Sequence, residues 1–236
     1  MHVSKEKLTS SQPNCGFTLI EISIVLVIIG LVISSVIVGG NLIRSAKLKD
    51  ISSDFNKYQT IINTFTDKYD AFPGDMSNAT IYWSACVDVG ANTCNGNGDR
   101  QVLSGSTESY RVFEHLHHAD LISSTYIYDG NVASTQPSSA FNSSVTVLDW
   151  NQTLYGKNYA TNTILIASFE PFITPTEAYL IDKKIDDGNA DSGKLLSTWI
   201  NDSTGCVDGT YWANTSANYV LSRDTDRCWL IMLIGN

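Results

Sequence analysis

The run Ile22–Ile43 carries no charged side chain, and it constrains this chain more than any other feature. It is 22 residues long. A helix rising ~1.5 Å per residue would carry such a run across a ~30 Å hydrocarbon core. One acid, Glu21, stands at its head, and no further charge follows until Arg44. A carboxylate at mid-membrane costs roughly 2.5–3.5 kcal/mol on insertion scales, and less near the interface. A single acid at the mouth of an apolar helix therefore calls for a partner.

The residues ahead of the run are short, polar and lightly basic, with Lys5 and Lys7. An ordinary secretory signal places its cleavage site after the apolar stretch, near small residues. Here the small residue, Gly16, comes first, in the string Gly16-Phe17-Thr18-Leu19-Ile20-Glu21. That string resembles the N-terminal signal of type IV pilins and the related pseudopilins of type II secretion. The resemblance implies cleavage between Gly16 and Phe17 by a prepilin peptidase on the cytoplasmic side, then N-methylation of Phe17. Lys5 and Lys7 agree with a cytoplasmic leader under the positive-inside rule. The alternative is an uncleaved signal anchor with a chance Gly-Phe.

Beyond the run, Leu48, Ile51, Phe55, Tyr58, Ile62, Phe65 and Tyr69 recur at alternating gaps of three and four, a single seam on a helix. No proline lies between Pro13 and Pro73. The spacing predicts one helix from Phe17 to about Asp70, apolar all round in its first half and amphipathic in its second. Many pilins carry a proline about twenty residues into this helix; here Val38-Gly39-Gly40 occupies the region. Glycine costs roughly 1 kcal/mol relative to alanine in a helix interior. Gly39 and Gly40 are thus expected to be the weak point of the helix, or a place where neighbouring helices pack closely.

Four segments follow: a leader over 1–16, a membrane or filament-core half-helix over 17–44, an amphipathic half over 45–70, and a globular domain over 71–236. Phe72-Pro73-Gly74-Asp75 stops the helix, and Asn95-Gly96-Asn97-Gly98-Asp99 reads as a loop. A second helix is predicted at about 107–119. Strands are predicted at Ser144–Asp149, Thr163–Phe169, Glu177–Asp182, Tyr219–Arg223 and Arg227–Ile234. The fold class is α+β, a long N-terminal helix laid on an antiparallel sheet as in type IV pilins.

The formal charge is −9, and losing a leader that holds Lys5, Lys7 and Glu6 (net +1) leaves −10. Such acidity argues against nucleic acid as a partner, because phosphate neutralisation needs clustered Lys and Arg. Of five cysteines, Cys15 leaves with the leader. The remaining four, in a chain read as exported, favour two disulfides. Three pairings are open, and proximity favours Cys86–Cys94 and Cys206–Cys228. Metal ligation by cysteine is the weaker reading, since no Cys-x-x-Cys occurs and no histidine is near either pair in sequence.

No catalytic constellation stands out, so no enzyme is expected. Glu114-His115-Leu116-His117-His118 is not the His-Glu-x-x-His of zinc proteases and reads as a solvated or satisfied histidine face. No cofactor is required. Asp186, Asp187 and Asp191 are candidate calcium ligands, against an acidic turn around Gly188. An EF-hand is excluded, because a frame starting at Asp187 places Ser192 where glycine and Thr198 where glutamate are needed. Tyr82 and five tryptophans, Trp83, Trp150, Trp199, Trp212 and Trp229, are expected mostly in the core.

The resemblance implies a filament subunit, pilin or pseudopilin, held first in the bacterial inner membrane with its N-terminus cytoplasmic, then passed through an assembly platform into a periplasmic or extracellular filament. Its partners would be other pilins, the prepilin peptidase, the platform and membrane lipid. The competing reading keeps the helix as a mere anchor for an extracytoplasmic binding module, such as a glycan adhesin.

Overall fold

The computed structural model describes residues 16–84, 86, 94–103, 106–126, 128, 136–141, 144–149, 152–154, 157–159, 161–167, 173–198, 205–208, 217–225 and 228–234. Two compact units divide the chain, Met1–Ser45 and Ala46–Asn236. Helix α1 (Leu19–Tyr69) contributes to both. In the first unit, every large apolar side chain from Phe17 to Ile43 is between 46% and 91% exposed. In the second, Ile51, Phe55, Tyr58, Ile62 and Phe65 are buried in the core of the domain. The seam spacing of three and four is what lines these five on one helix face. Burying each contributes roughly 1.5–3 kcal/mol.

α1 ends because residues 70–75 will not extend it. Asp70 takes a positive φ of 48°, and Pro73 follows. Gly74 has φ 90°, and a Cβ there would sit 2.5 Å from the Glu108 carbonyl oxygen. Only glycine satisfies both demands. A short helix α2 (Ala79–Tyr82) comes next, then α3 (Thr107–His118), capped by Ser106. The sequence predicts α3 closely: Phe113 and Leu116 are buried, and Phe113 packs edge-on against Tyr58 of α1 at 5.6 Å between centroids.

The sheet is antiparallel and four-stranded. It is built from β1 (Ser144–Asp149), β4 (Asn162–Ala167), β5 (Leu195–Thr198) and β6 (Trp229–Leu233), in the order β1-β4-β6-β5. β2 (Gln152–Leu154) and β3 (Lys157–Tyr159) form a separate hairpin. Ile164 of β4 faces Val147 on one side and Met232 on the other, while Leu196 of β5 faces Ile231. Successive residues of the two central strands are buried, Thr163, Ile164 and Leu165 in β4 and Leu230, Ile231 and Met232 in β6. Both faces of these strands are therefore covered.

Two expectations are corrected. Glu177–Asp182 is not a strand but lies within helix α4 (Pro175–Ile185). The start signal there is complete: the Glu177 N–H donates to Thr174 Oγ1 (3.3 Å), Glu177 Oε2 accepts from the Thr174 N–H (2.9 Å), and Pro175 opens the helix. Ala178, Ile181 and Asp182 are buried while Leu180 is exposed, which is helical and not alternating. Tyr219–Arg223 is not a strand either. Tyr219 makes one isolated bridge to Val207, and the chain turns at 221–222. β5 was not foreseen at all; its Leu-Leu-Ser-Thr is too short to show a period.

The structure joins Cys86 to Cys94 and Cys206 to Cys228. Trp83 and Trp229 are half-buried and Tyr82 is exposed, so these three lie outside the fully buried core. Trp150, Trp199 and Trp212 lie outside the described residues.

Thr174→Ala removes the bond from the Glu177 N–H to the threonine hydroxyl, keeps the bond from the backbone N–H of residue 174 to Glu177, and is expected to cost ~1 kcal/mol of unfolding free energy in urea, with Thr174→Ser near neutral. Equal stability of Thr174→Ala and the parent would show that the cap does not hold α4.

Candidate functional site

The N-terminal segment is built from the residues that the sequence singles out. Gly16, Phe17 and Thr18 precede the first turn of α1 in open, exposed backbone. The Thr18 N–H and its hydroxyl both donate to Glu21 Oε2 at 2.7 Å, and the Glu21 N–H donates to Thr18 Oγ1 at 3.3 Å. Thr18 and Glu21 thus form a reciprocal cap, with the acid in the first turn where the helix macrodipole favours negative charge. Thr18 was not anticipated, although Thr-x-x-Glu ahead of an apolar run is the signature of such a cap. A carboxylate offers about four lone-pair sites, and Thr18 uses two, so Glu21 retains capacity for an external cation.

Gly39 and Gly40 lie inside α1, which runs through them unbroken. A Cβ at either would meet nothing within 4 Å. No contact within the described chain requires glycine at these positions.

The acidic turn after α4 is organised by its own carboxylates. Asp182 is fully buried and accepts from the Tyr219 hydroxyl (2.8 Å) and the Gly188 N–H (3.2 Å), while Tyr219 also bonds Ser197 Oγ at 2.8 Å. Asp186 accepts from the N–H groups of Lys194 and Leu195. Asp187 accepts from the Asn189 N–H (2.8 Å) and the Ser192 hydroxyl (2.7 Å). Carboxylate oxygens of Asp182, Asp186 and Asp187 come within 4.8 Å of one another. The grouping brings in Asp182 in place of Asp191. Gly188 has φ 80°, as an acidic turn around it requires.

A second carboxylate, Asp75, is buried and holds the Asn95–Asp99 loop. It accepts from the N–H groups of Gly98 (2.7 Å), Asp99 (3.2 Å) and Arg100 (2.6 Å). Burial raises the Asp75 and Glu108 carboxyls above the usual range, against the backbone donors that pull them down.

The histidine segment is partly as expected. His115 is fully buried and satisfied: Gly74 donates its N–H to Nδ1 (2.9 Å), which leaves the proton on Nε2 for the Cys94 carbonyl (2.9 Å). Burial pushes its pKa down to about 4, so it is neutral at pH 7. His118 stacks on Trp83 at 5.8 Å. The expectation that no histidine is near a cysteine pair holds in sequence only. In space, donor atoms of Cys86, Cys94 and His115 lie within 4.8 Å, as do those of Cys86, Glu114 and His118.

Burial pushes the Asp182 carboxyl up to about 6, the Tyr219 bond opposing. A raised carboxylate pKa means the folded state holds a proton that the unfolded chain has released, so this stability is present below pH ~4 and lost as pH rises through about 6. His115 acts in the opposite sense, its contribution falling as pH drops below ~6.5 toward 4. Asp182→Asn is isosteric and is expected to remove the Asp182 component. The parent should lose melting temperature relative to the variant between pH 4 and 7, and parallel profiles would contradict the assignment.

Residues 12–37 match the prokaryotic N-terminal methylation motif. Among solved structures, the chain is similar to the major type IV pilin PilA1 from Clostridium difficile, at 9% identity and a TM-score of 0.39, covering 83% of this chain and 98% of that one. No curated protein matches. The methylation motif thus stands at the head of a long helix, and that helix contributes to an α+β domain with an antiparallel sheet.

Proposed function

We propose that the protein is a pilin or pseudopilin cut between Gly16 and Phe17 by a prepilin peptidase and N-methylated on Phe17. It waits in the bacterial inner membrane with its N-terminus cytoplasmic. An assembly platform then draws it, with other pilins, into a periplasmic or extracellular filament. The observation that carries this reading is the exposure of every large apolar side chain from Phe17 to Ile43. Leaving that surface in water costs on the order of 20 kcal/mol. Lipid covers it before assembly, and the same helices of other subunits cover it afterwards. Repeating one contact without closure gives a helical fibre.

Glu21 sets the axial register. The new α-amine of Phe17 is largely cationic at neutral pH. In a filament core it pairs with Glu21 of a neighbouring subunit, whose carboxylate is already oriented by Thr18. Gly39 and Gly40 are the place where the helix yields or packs closely on assembly. The open space around both supports a role that only other chains complete.

Glu21→Ala is expected to be processed normally, with mass spectrometry finding N-methyl-Phe17, and to be stable in the membrane, yet to give few or no filaments. Removing one partner of a buried pair costs ~3–5 kcal/mol at each contact. Normal filament yield from the processed variant would refute the register role.

A further inference from the structure

A cleft of about 220 Å³ opens in the domain beside the last turns of α1. Its apolar lining is the buried Ile62 and Ile234 with the half-buried Ala71 and Phe72. The polar groups at its edge are Asn63 and Asp67, one turn apart on α1, and Arg100. Asn63 and Asp67 are exposed, and neither side chain makes a hydrogen bond or ion pair among the described residues.

Arg100 is held at the cleft by an uncommon backbone. Its φ is 67°, in the left-handed region that side chains other than glycine rarely adopt. Its N–H donates to Asp75 (2.6 Å), and its carbonyl accepts from Asn162 Nδ2 (2.9 Å). Its guanidinium pairs with Asp70 Oδ1 at 3.2 Å, and Asp70 also has a positive φ, 48°. A left-handed residue is ordinary where a helix ends, so Asp70 alone points to nothing. Arg100 ends no helix, and strained backbones of this kind concentrate where a side chain is presented to a ligand.

We propose that this cleft binds one neutral pyranose, with the C–H surface of the ring on Phe72, Ile62 and Ile234 and its hydroxyls on Asp67, Asn63 and Arg100. The three polar groups cover both roles of a hydroxyl: a carboxylate accepts, a guanidinium donates, and an amide does both. The charges disfavour other small ligands. An anion meets Asp67 and Asp70, a cation meets Arg100, and the carboxylate of a zwitterion meets a guanidinium already paired with Asp70. The volume is below the ~300–1,000 Å³ of sites for drug-sized ligands, so the cleft takes a single ring. A ligand this small has few contact atoms, and its Kd is on the order of 1 mM. In the proposed filament the cleft repeats in every subunit, and a surface displaying many such sugars is held by avidity.

The test uses the full chain in a detergent without a sugar headgroup. It records saturation-transfer difference NMR of the methyl glycosides of glucose, galactose, mannose and N-acetylglucosamine. At least one is expected to give a saturable signal on its ring C–H protons, unchanged between low and high salt. Asp67→Asn and Arg100→Gln are each expected to weaken binding at least tenfold, and Lys57→Gln, on α1 but outside the cleft, to leave it. If Arg100→Gln lowers the melting temperature, Asp67→Asn, whose side chain holds nothing among the described residues, decides alone. Absence of a saturable signal from all four glycosides overturns the proposal, as does undiminished binding by Asp67→Asn, or binding of glycine in place of the glycosides. Neither result bears on filament assembly.

Discussion

Everything in this protein follows from one helix that needs two different surroundings. Up to Ile43, α1 is apolar on every side, and nothing in the described chain covers it. From Ile51 the apolar positions narrow to a seam, and the domain buries that seam. A soluble helix needs only the second pattern, and a membrane anchor needs only the first. A helix carrying both fits the proposed subunit, whose first half would pass from lipid to other helices while its second half belongs to a folded domain.

The domain is held by buried polar groups at its loops as much as by its apolar core. Asp75 gathers three backbone N–H groups of residues 98–100, Asp182 ties α4 to Tyr219 and through it to Ser197, and His115 ties Gly74 to Cys94. Each closes a loop rich in Gly, Asn and Asp that has few apolar side chains of its own. An unsatisfied buried polar group costs ~1–3 kcal/mol, so each of these contacts also commits its loop to one conformation. The two disulfides add covalent closure in the same loop regions.

Long periodic segments were legible in the sequence, and contacts between distant segments were not. The seam from Leu48 to Tyr69 and the α3 spacing of Phe113 and Leu116 declare helices because every residue obeys one period. β5 is four residues long and recognisable only by its pairing with β6. Glu177–Asp182 was misread because the strand reading ignored the cap at Thr174-Pro175, three residues upstream. Glu21 announced itself as a lone acid, whereas its partner Thr18 needed the capping geometry to be seen. The approach of His115 to Cys86 and Cys94, and of His118 to Cys86, spans more than twenty residues of sequence, and no local pattern encodes it.

The most direct test of the central claim compares the mature chain with one beginning at Ala46, in buffer without detergent, by sedimentation and by flotation with lipid vesicles. The account predicts that the shorter chain stays monomeric and ignores vesicles while keeping the melting temperature of the domain, and that the full chain floats with lipid or sediments as a polymer. A full-length chain that stays monomeric in plain buffer and leaves vesicles unbound would contradict it.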